Sequence, residues 1–154
     1  MTSFQQVSAM NEAFGNPKGN PKAVDWNRLE KQCKNILDEY IELMAAIAAR
    51  DPTAVRDALG DVQVFAMGGQ HFIGVAGDAD MKAIIAGVMT RFIKNDADQK
   101  ATVKLHKLRG VTEVYFEGEY PTMVMKSAVD QPDAPKGKFL KSASYKETVF
   151  SPIK

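Results

Sequence analysis

An all-α fold, a bundle of four to five helices with a small β-hairpin extension at its C-terminal end, follows from three features of the 154-residue sequence. Apolar residues recur at spacings of three and four along two consecutive segments, 25–50 and 51–76. Between them stands Asp51-Pro52, a capping acid followed by a proline at the first helical position, where a missing N–H costs nothing. Beyond Gly110 the apolar period falls from helical to two.

The elements follow in order. "FQQVSAMNEAFG" reads as a short helix ending at Gly15, and "NPKGNPK" after it is a loop that neither helix nor central strand tolerates. Asp25 is the expected N-cap of a helix over 25–50, with Leu29, Cys33, Ile36, Tyr40, Leu43, Met44 and Ile47 as its apolar stripe. The next helix runs from Asp51 to near Ala76. Gly68 and Gly69 inside it each cost about 1 kcal/mol relative to Ala, which points to close helix packing or close approach of a ligand. "GDADMKAIIAGVMTRFIK" reads as a third long helix with Arg91 and Lys94 in its last turn, where they complement the dipole. After "NDAD" the character changes, and "QKATVKLHKLRG" follows as a fourth helix closed by Gly110. "VTEVYFEGEYPTMVMKSAV" reads as two strands joined around Gly118, and "GKFLKSASY" as a basic tail. The expected organisation is one domain, with 1–24 as N-terminal helix and loop, 25–109 as helical core and 110–154 as hairpin and tail.

Composition narrows function less than pattern does. The net charge is +1, but residues 1–90 carry 8 Lys/Arg against 11 Asp/Glu and residues 91–154 carry 12 against 8. An acidic and a basic half suit a metal-bound polyanion; scattered surface lysines produce the same count. Cys33 is the sole cysteine, which excludes an internal disulfide and fits a reducing compartment. No signal-peptide pattern and no apolar run near the ~18 residues of a membrane span are present, so a cytoplasmic protein without membrane partners is expected. Neither GxxxxGK[ST] nor GxGxxG occurs, and the Glu-x-x-His pairs of a ferritin-like bundle are missing. His71 and His106 have no ligand partners at metal-binding spacing and are expected to be structural or exposed.

Chemistry concentrates in "DEYIEL" and "DALGD", which put Asp38, Glu39, Glu42, Asp57 and Asp61 into 24 residues of otherwise apolar helix. Glu39 and Glu42 share a face with Arg28, Gln32, Asn35 and Ala46, about 100° from the apolar stripe. A short "RDPT" turn brings this face level with Asp57 and Asp61 on the following helix. Carboxylates packed together are tolerated only when protonated, paired with cations, or bound to metal. Pairing with Arg28, Arg56 or Lys31 is the simplest outcome; a metal cluster of hard oxygens selects Mg²⁺, with Mn²⁺ as substitute.

With these residues in view, "LEKQCKNILDEYIELMAAI" followed by "DALGDVQVFAMG" resembles the all-α nucleoside triphosphate pyrophosphohydrolases, the MazG-like group, whose pattern is EExxE and then ExxD. "TVKLHKLRGV" and "PKGKFLKSASY" resemble the C-terminal parts of its phage-type members, so the resemblance spans roughly 25–145. It places Asp38, Glu39 and Glu42 on EExxE and Asp61 on the Asp of ExxD. Ala58 stands where the group has Glu, and Asp57 is the stand-in. The resemblance implies Mg²⁺-dependent conversion of a (d)NTP to (d)NMP and pyrophosphate, with Glu39, Glu42, Asp61 and Asp57 catalytic, and those four with Asp38 as metal ligands. Lys34, Arg91, Lys94, Lys138 and Lys141 are candidates to receive phosphate charge, and Trp26, Phe14, Gln32 and Asn35 to recognise a base, with dGTP favoured over dUTP or dCTP. It further implies a dimer or tetramer, no nucleic-acid partner and, for a phage-encoded chain, the host cytoplasm. The competing reading, favoured by Ala58, is a non-catalytic nucleotide-binding or interaction module on the same fold, such as a phage accessory or anti-defence factor.

Overall fold

The computed structural model describes residues 1–153 and is mostly helical, with a three-stranded antiparallel sheet. Its helices are α1 (Ser3–Ala13), α2 (Trp26–Ala48), α3 (Pro52–Ile73), α4 (Gly77–Met89) and α5 (Asp96–Leu108); its strands are β1 (Val114–Glu117), β2 (Val124–Ser127) and β3 (Phe139–Leu140). The chain divides into two compact units, Met1–Met81 joined by residues from Ser151 on, and Lys82–Phe150. The division falls inside α4.

The first unit is built on the hairpin of α2 and α3, the most extensive helix pair in the protein. Asp25 caps α2 by accepting from the Arg28 amide at 3.0 Å. Asp51 caps α3 by accepting from Thr53 and Ala54 at 2.9 and 3.0 Å, with Pro52 at N1. α3 stops at Gly74, whose φ of 88° is the left-handed conformation that glycine adopts without steric cost. The seam between the helices needs small residues. A Cβ on Gly68 would lie 2.5 Å from Gln32 Nε2, and Gln32 donates from that atom to the Phe65 carbonyl at 2.7 Å.

The inward face of α2 differs from the expected stripe. Leu29, Gln32, Ile36, Glu39, Leu43 and Ala46, spaced three and four, are buried or half-buried, whereas Cys33, Leu37, Tyr40, Ile41, Met44 and Ile47 are exposed. Leu29, Ile36 and Leu43 face inward as expected, and the helix is turned by only about 60°, toward Gln32, Glu39 and Ala46. The close approach at Gly68 and Gly69 favours this, because Gln32 packs against both glycines and bonds across the seam.

α1 closes the unit through a capping box formed by Thr2 and Gln5. Fully buried His71 ties three segments together: Nδ1 meets Ser8 Oγ of α1 at 2.8 Å, and Nε2 meets the Asn16 carbonyl of the Pro/Gly loop at 2.9 Å. Arg28 holds the same loop, donating to the Pro17 carbonyl at 2.9 Å while its guanidinium lies 3.7 Å from the centre of the Phe72 ring.

In the second unit three expectations are corrected. The third long helix ends at Met89, not at Lys94, so Arg91 and Lys94 lie past its last turn. Ile93 is fully buried with Met125, Leu140, Val111 and Ala134, and its amide bonds the Met123 carbonyl at 2.8 Å; this burial outweighs further helix. The fourth expected helix starts at Asp96, inside "NDAD" rather than after it, because Asn95 caps α5 by accepting from the Asp98 amide at 2.9 Å. The tail contributes a strand, so the hairpin is a three-stranded sheet in the order β1-β2-β3, with Glu117 opposite Val124 and Met125 opposite Leu140. The residues after β3 are strapped down: Ser142 Oγ donates to the Thr90 carbonyl at 2.8 Å, and the Ala143 amide donates to Thr102 Oγ1 at 2.8 Å.

Candidate active site

All five carboxylates belong to the α2–α3 hairpin. Glu39 sits in the inward heptad-like row of α2, half-buried, with Glu42 one turn on and exposed; Asp61 is half-buried on α3, while Asp38 and Asp57 are exposed. The cluster therefore borders the core rather than lying inside it. Its mutual influence shows at Glu39, whose carboxyl is held above the usual carboxylate range. Partial withdrawal from water is the first cause, followed by the charges of Glu42, Asp61, Asp38 and Asp57.

Cation pairing does not relieve this crowding. Among the described residues the three salt bridges are Lys34–Glu30, Lys100–Asp96 and Lys126–Glu117, none of them at the cluster. Arg28 is committed to Pro17 and Phe72. Nor do the carboxylates already form a cage: among the described residues no group of three or more His, Cys, Asp or Glu side chains is close enough to hold a metal ion. The donor chemistry, all oxygen and all anionic, suits Mg²⁺ or Mn²⁺, but the single chain does not bring three of these donors together. Ala58, at the position of the missing glutamate, is buried and 5% exposed.

The residues expected to recognise a base separate. Trp26 is 71% exposed at the first position of α2, and Phe14 and Asn35 are also exposed. Gln32 instead packs the α2–α3 seam and spends its amide on the Phe65 carbonyl. Lys34 pairs along its own helix with Glu30 at 3.2 Å.

Arg91, Lys94, Lys138 and Lys141 belong to the second unit. Arg91, Lys138 and Lys141 line one cavity of about 450 Å³, together with His106 and Arg109; Lys94 is exposed elsewhere. His106, expected to be structural or exposed, is buried; Arg109, just past the end of α5 and beside Gly110, was not singled out by sequence reasoning. His106 is held by Nε2 against the Lys141 carbonyl at 2.9 Å, and the Lys141 ammonium lies 4.0 Å from the centre of the Tyr145 ring.

Among the described residues no helix is long and apolar enough to cross a membrane. No protein-family model, curated protein or solved structure matches the chain.

Proposed function

We propose that the protein is a Mg²⁺-dependent nucleoside triphosphate pyrophosphohydrolase that converts a (d)NTP, with dGTP the favoured substrate, to the monophosphate and pyrophosphate. The observation that carries this reading is the carboxylate cluster on two consecutive helices, without a salt bridge among the described residues, in which partial withdrawal from water and then the neighbouring charges raise the proton affinity of Glu39. Glu39, Glu42 and Asp61, with Asp57 and Asp38 in support, are the residues that would hold the metal, and since no three of them stand close enough among the described residues, a bound ion would have to draw them together. Bound there, Mg²⁺ would offset phosphate charge and lower the pKa of a coordinated water.

The chain's own contribution is orientation and proton handling. The rigid α2–α3 seam fixes where Glu39 and Asp61 stand. A carboxylate of the cluster left free of the metal would accept the proton of the water that attacks the α-phosphorus. The bond to the β-phosphate then breaks and pyrophosphate leaves.

An assembly of like subunits belongs to the same reading. Leu37, Tyr40, Ile41, Met44 and Ile47 form a continuous apolar stripe on the outer face of α2, and on α4 Met81, Ile84, Ile85, Val88 and Met89 are exposed as well.

A nucleotide-binding module without catalysis is the second reading, favoured by buried Ala58 and by the incomplete ligand set within one chain. Incubation with each (d)NTP and Mg²⁺ separates the two. Monophosphate and pyrophosphate are expected, and Glu42→Ala, at an exposed position, abolishes turnover without unfolding the protein. Nucleotide binding without product from any base would establish the module instead.

A further inference from the structure

We propose that the cavity of the second unit is a phosphate-recognition site of its own, which takes a phosphorylated small molecule of mononucleotide size without requiring metal or the α2–α3 carboxylates. Four cations, Arg91, Arg109, Lys138 and Lys141, line a space of about 450 Å³, against a single acid, Asp133. Among the described residues none of the four is in a salt bridge. Lys138 donates to the Asp133 main-chain carbonyl, which leaves its charge uncompensated. Like charges gathered without counter-charge repel one another, and an anion relieves that repulsion.

Arg91 is half-buried at the cavity wall, and its Nε, shut off from solvent, has no hydrogen-bond partner within the protein. The segment carrying it is not loose: the Arg91 carbonyl accepts from the Ser142 amide at 3.1 Å, and the neighbouring Thr90 carbonyl accepts from Ser142 Oγ. His106, 7% exposed, pins the Lys141 backbone from the other side. The anion site is thus preorganised by residues of α5, β3 and the strap that follows it.

Two features choose the ligand class. A planar guanidinium and several ammonium groups suit the tetrahedral, multiply charged oxygens of a phosphate. Val111, Phe139 and Leu140 give the same cavity an apolar wall, and its volume falls within the usual range for small-molecule sites. A phosphate joined to a ring system, as in a nucleoside phosphate, satisfies both.

The test is equilibrium titration of the full chain in EDTA, so that binding through a metal on the carboxylates is silent. GMP, inorganic pyrophosphate, guanosine and a short single-stranded oligonucleotide are compared. The expected order is GMP first, pyrophosphate weaker, and no binding by guanosine. Arg109→Glu and Lys141→Glu, both at exposed positions, each weaken GMP by about tenfold or more, the effect of losing a charge-assisted contact. Glu39→Gln leaves GMP affinity unchanged and affects only turnover. Pyrophosphate binding at least as tightly as GMP would reassign the site to the bare anion and overturn the mononucleotide assignment. Absence of phosphate binding in EDTA, equal binding of guanosine, tighter binding of the oligonucleotide, or insensitivity to both charge reversals would each overturn the proposal, whatever the turnover assay shows.

Discussion

Glu39 is the residue at which the two halves of the acidic cluster meet. Because its proton affinity is raised in the native state, from an ordinary value near 4.5, the native state binds more protons than the unfolded chain in the pH window above that value. Stability therefore falls as pH rises through the window, by the linkage between proton uptake and unfolding. Glu39→Gln removes this slope, and in metal-free buffer it should leave the protein no less stable than wild type at neutral pH. Mg²⁺ should raise the melting temperature of wild type at neutral pH and do so less for the variant. Thermal melts from roughly pH 4 to 7, with and without Mg²⁺, check both; parallel profiles for the two proteins would refute the electrostatic role given to this carboxylate.

At the scale of elements, the α2–α3 seam depends on one glycine and one amide. Gly68 leaves room for Gln32, and Gln32 spans the seam to the Phe65 carbonyl. Gly68→Ala gains up to about 1 kcal/mol of helix propensity but displaces a buried, bonded amide, so a net loss of about 1 kcal/mol is expected. Gln32→Ala alone should cost about 1–2 kcal/mol. In the Gln32→Ala background the alanine at 68 no longer meets the amide, and the double mutant should be as stable as Gln32→Ala or more so. Urea denaturation of the four proteins reads the coupling; strict additivity would show that the two side chains do not share the space the structure assigns them.

For the molecule as a whole, the telling quantity is apolar surface left in water. Ile41 is 58% exposed in the middle of the α2 stripe, flanked by Leu37, Tyr40 and Met44 at comparable exposure. Monomeric proteins seldom keep so long a contiguous apolar row uncovered. Sedimentation velocity should find a dimer or tetramer at micromolar concentration, and Ile41→Glu should convert it to monomer with unchanged helix content, since the residue makes no contribution to the buried core. A wild-type monomer at that concentration would remove the oligomer from the proposed function.

What was legible in the sequence was local. Asp25, Asp51-Pro52 and Gly110 mark chain positions by their own backbone chemistry, and the four-residue spacing of Asp57 and Asp61 puts them on one helical face whatever they pack against. The same local code placed Glu39 and Glu42 beside each other and the two acidic pairs on consecutive helices. Tertiary structure decided everything that depends on a distant neighbour. Periodicity offered α2 two adjacent stripes sharing Leu29, Ile36 and Leu43, and close contact at Gly68 and Gly69 favours the less apolar one inward. Ile93 left its helix because burial with Met125 and Leu140 was available. A strand of two residues, β3, exists only because β2 pairs with it. The basic cavity draws on residues from 91 to 141 that no spacing rule connects, so the charges that suit a phosphate become a site only when the sheet and α5 bring them to one wall.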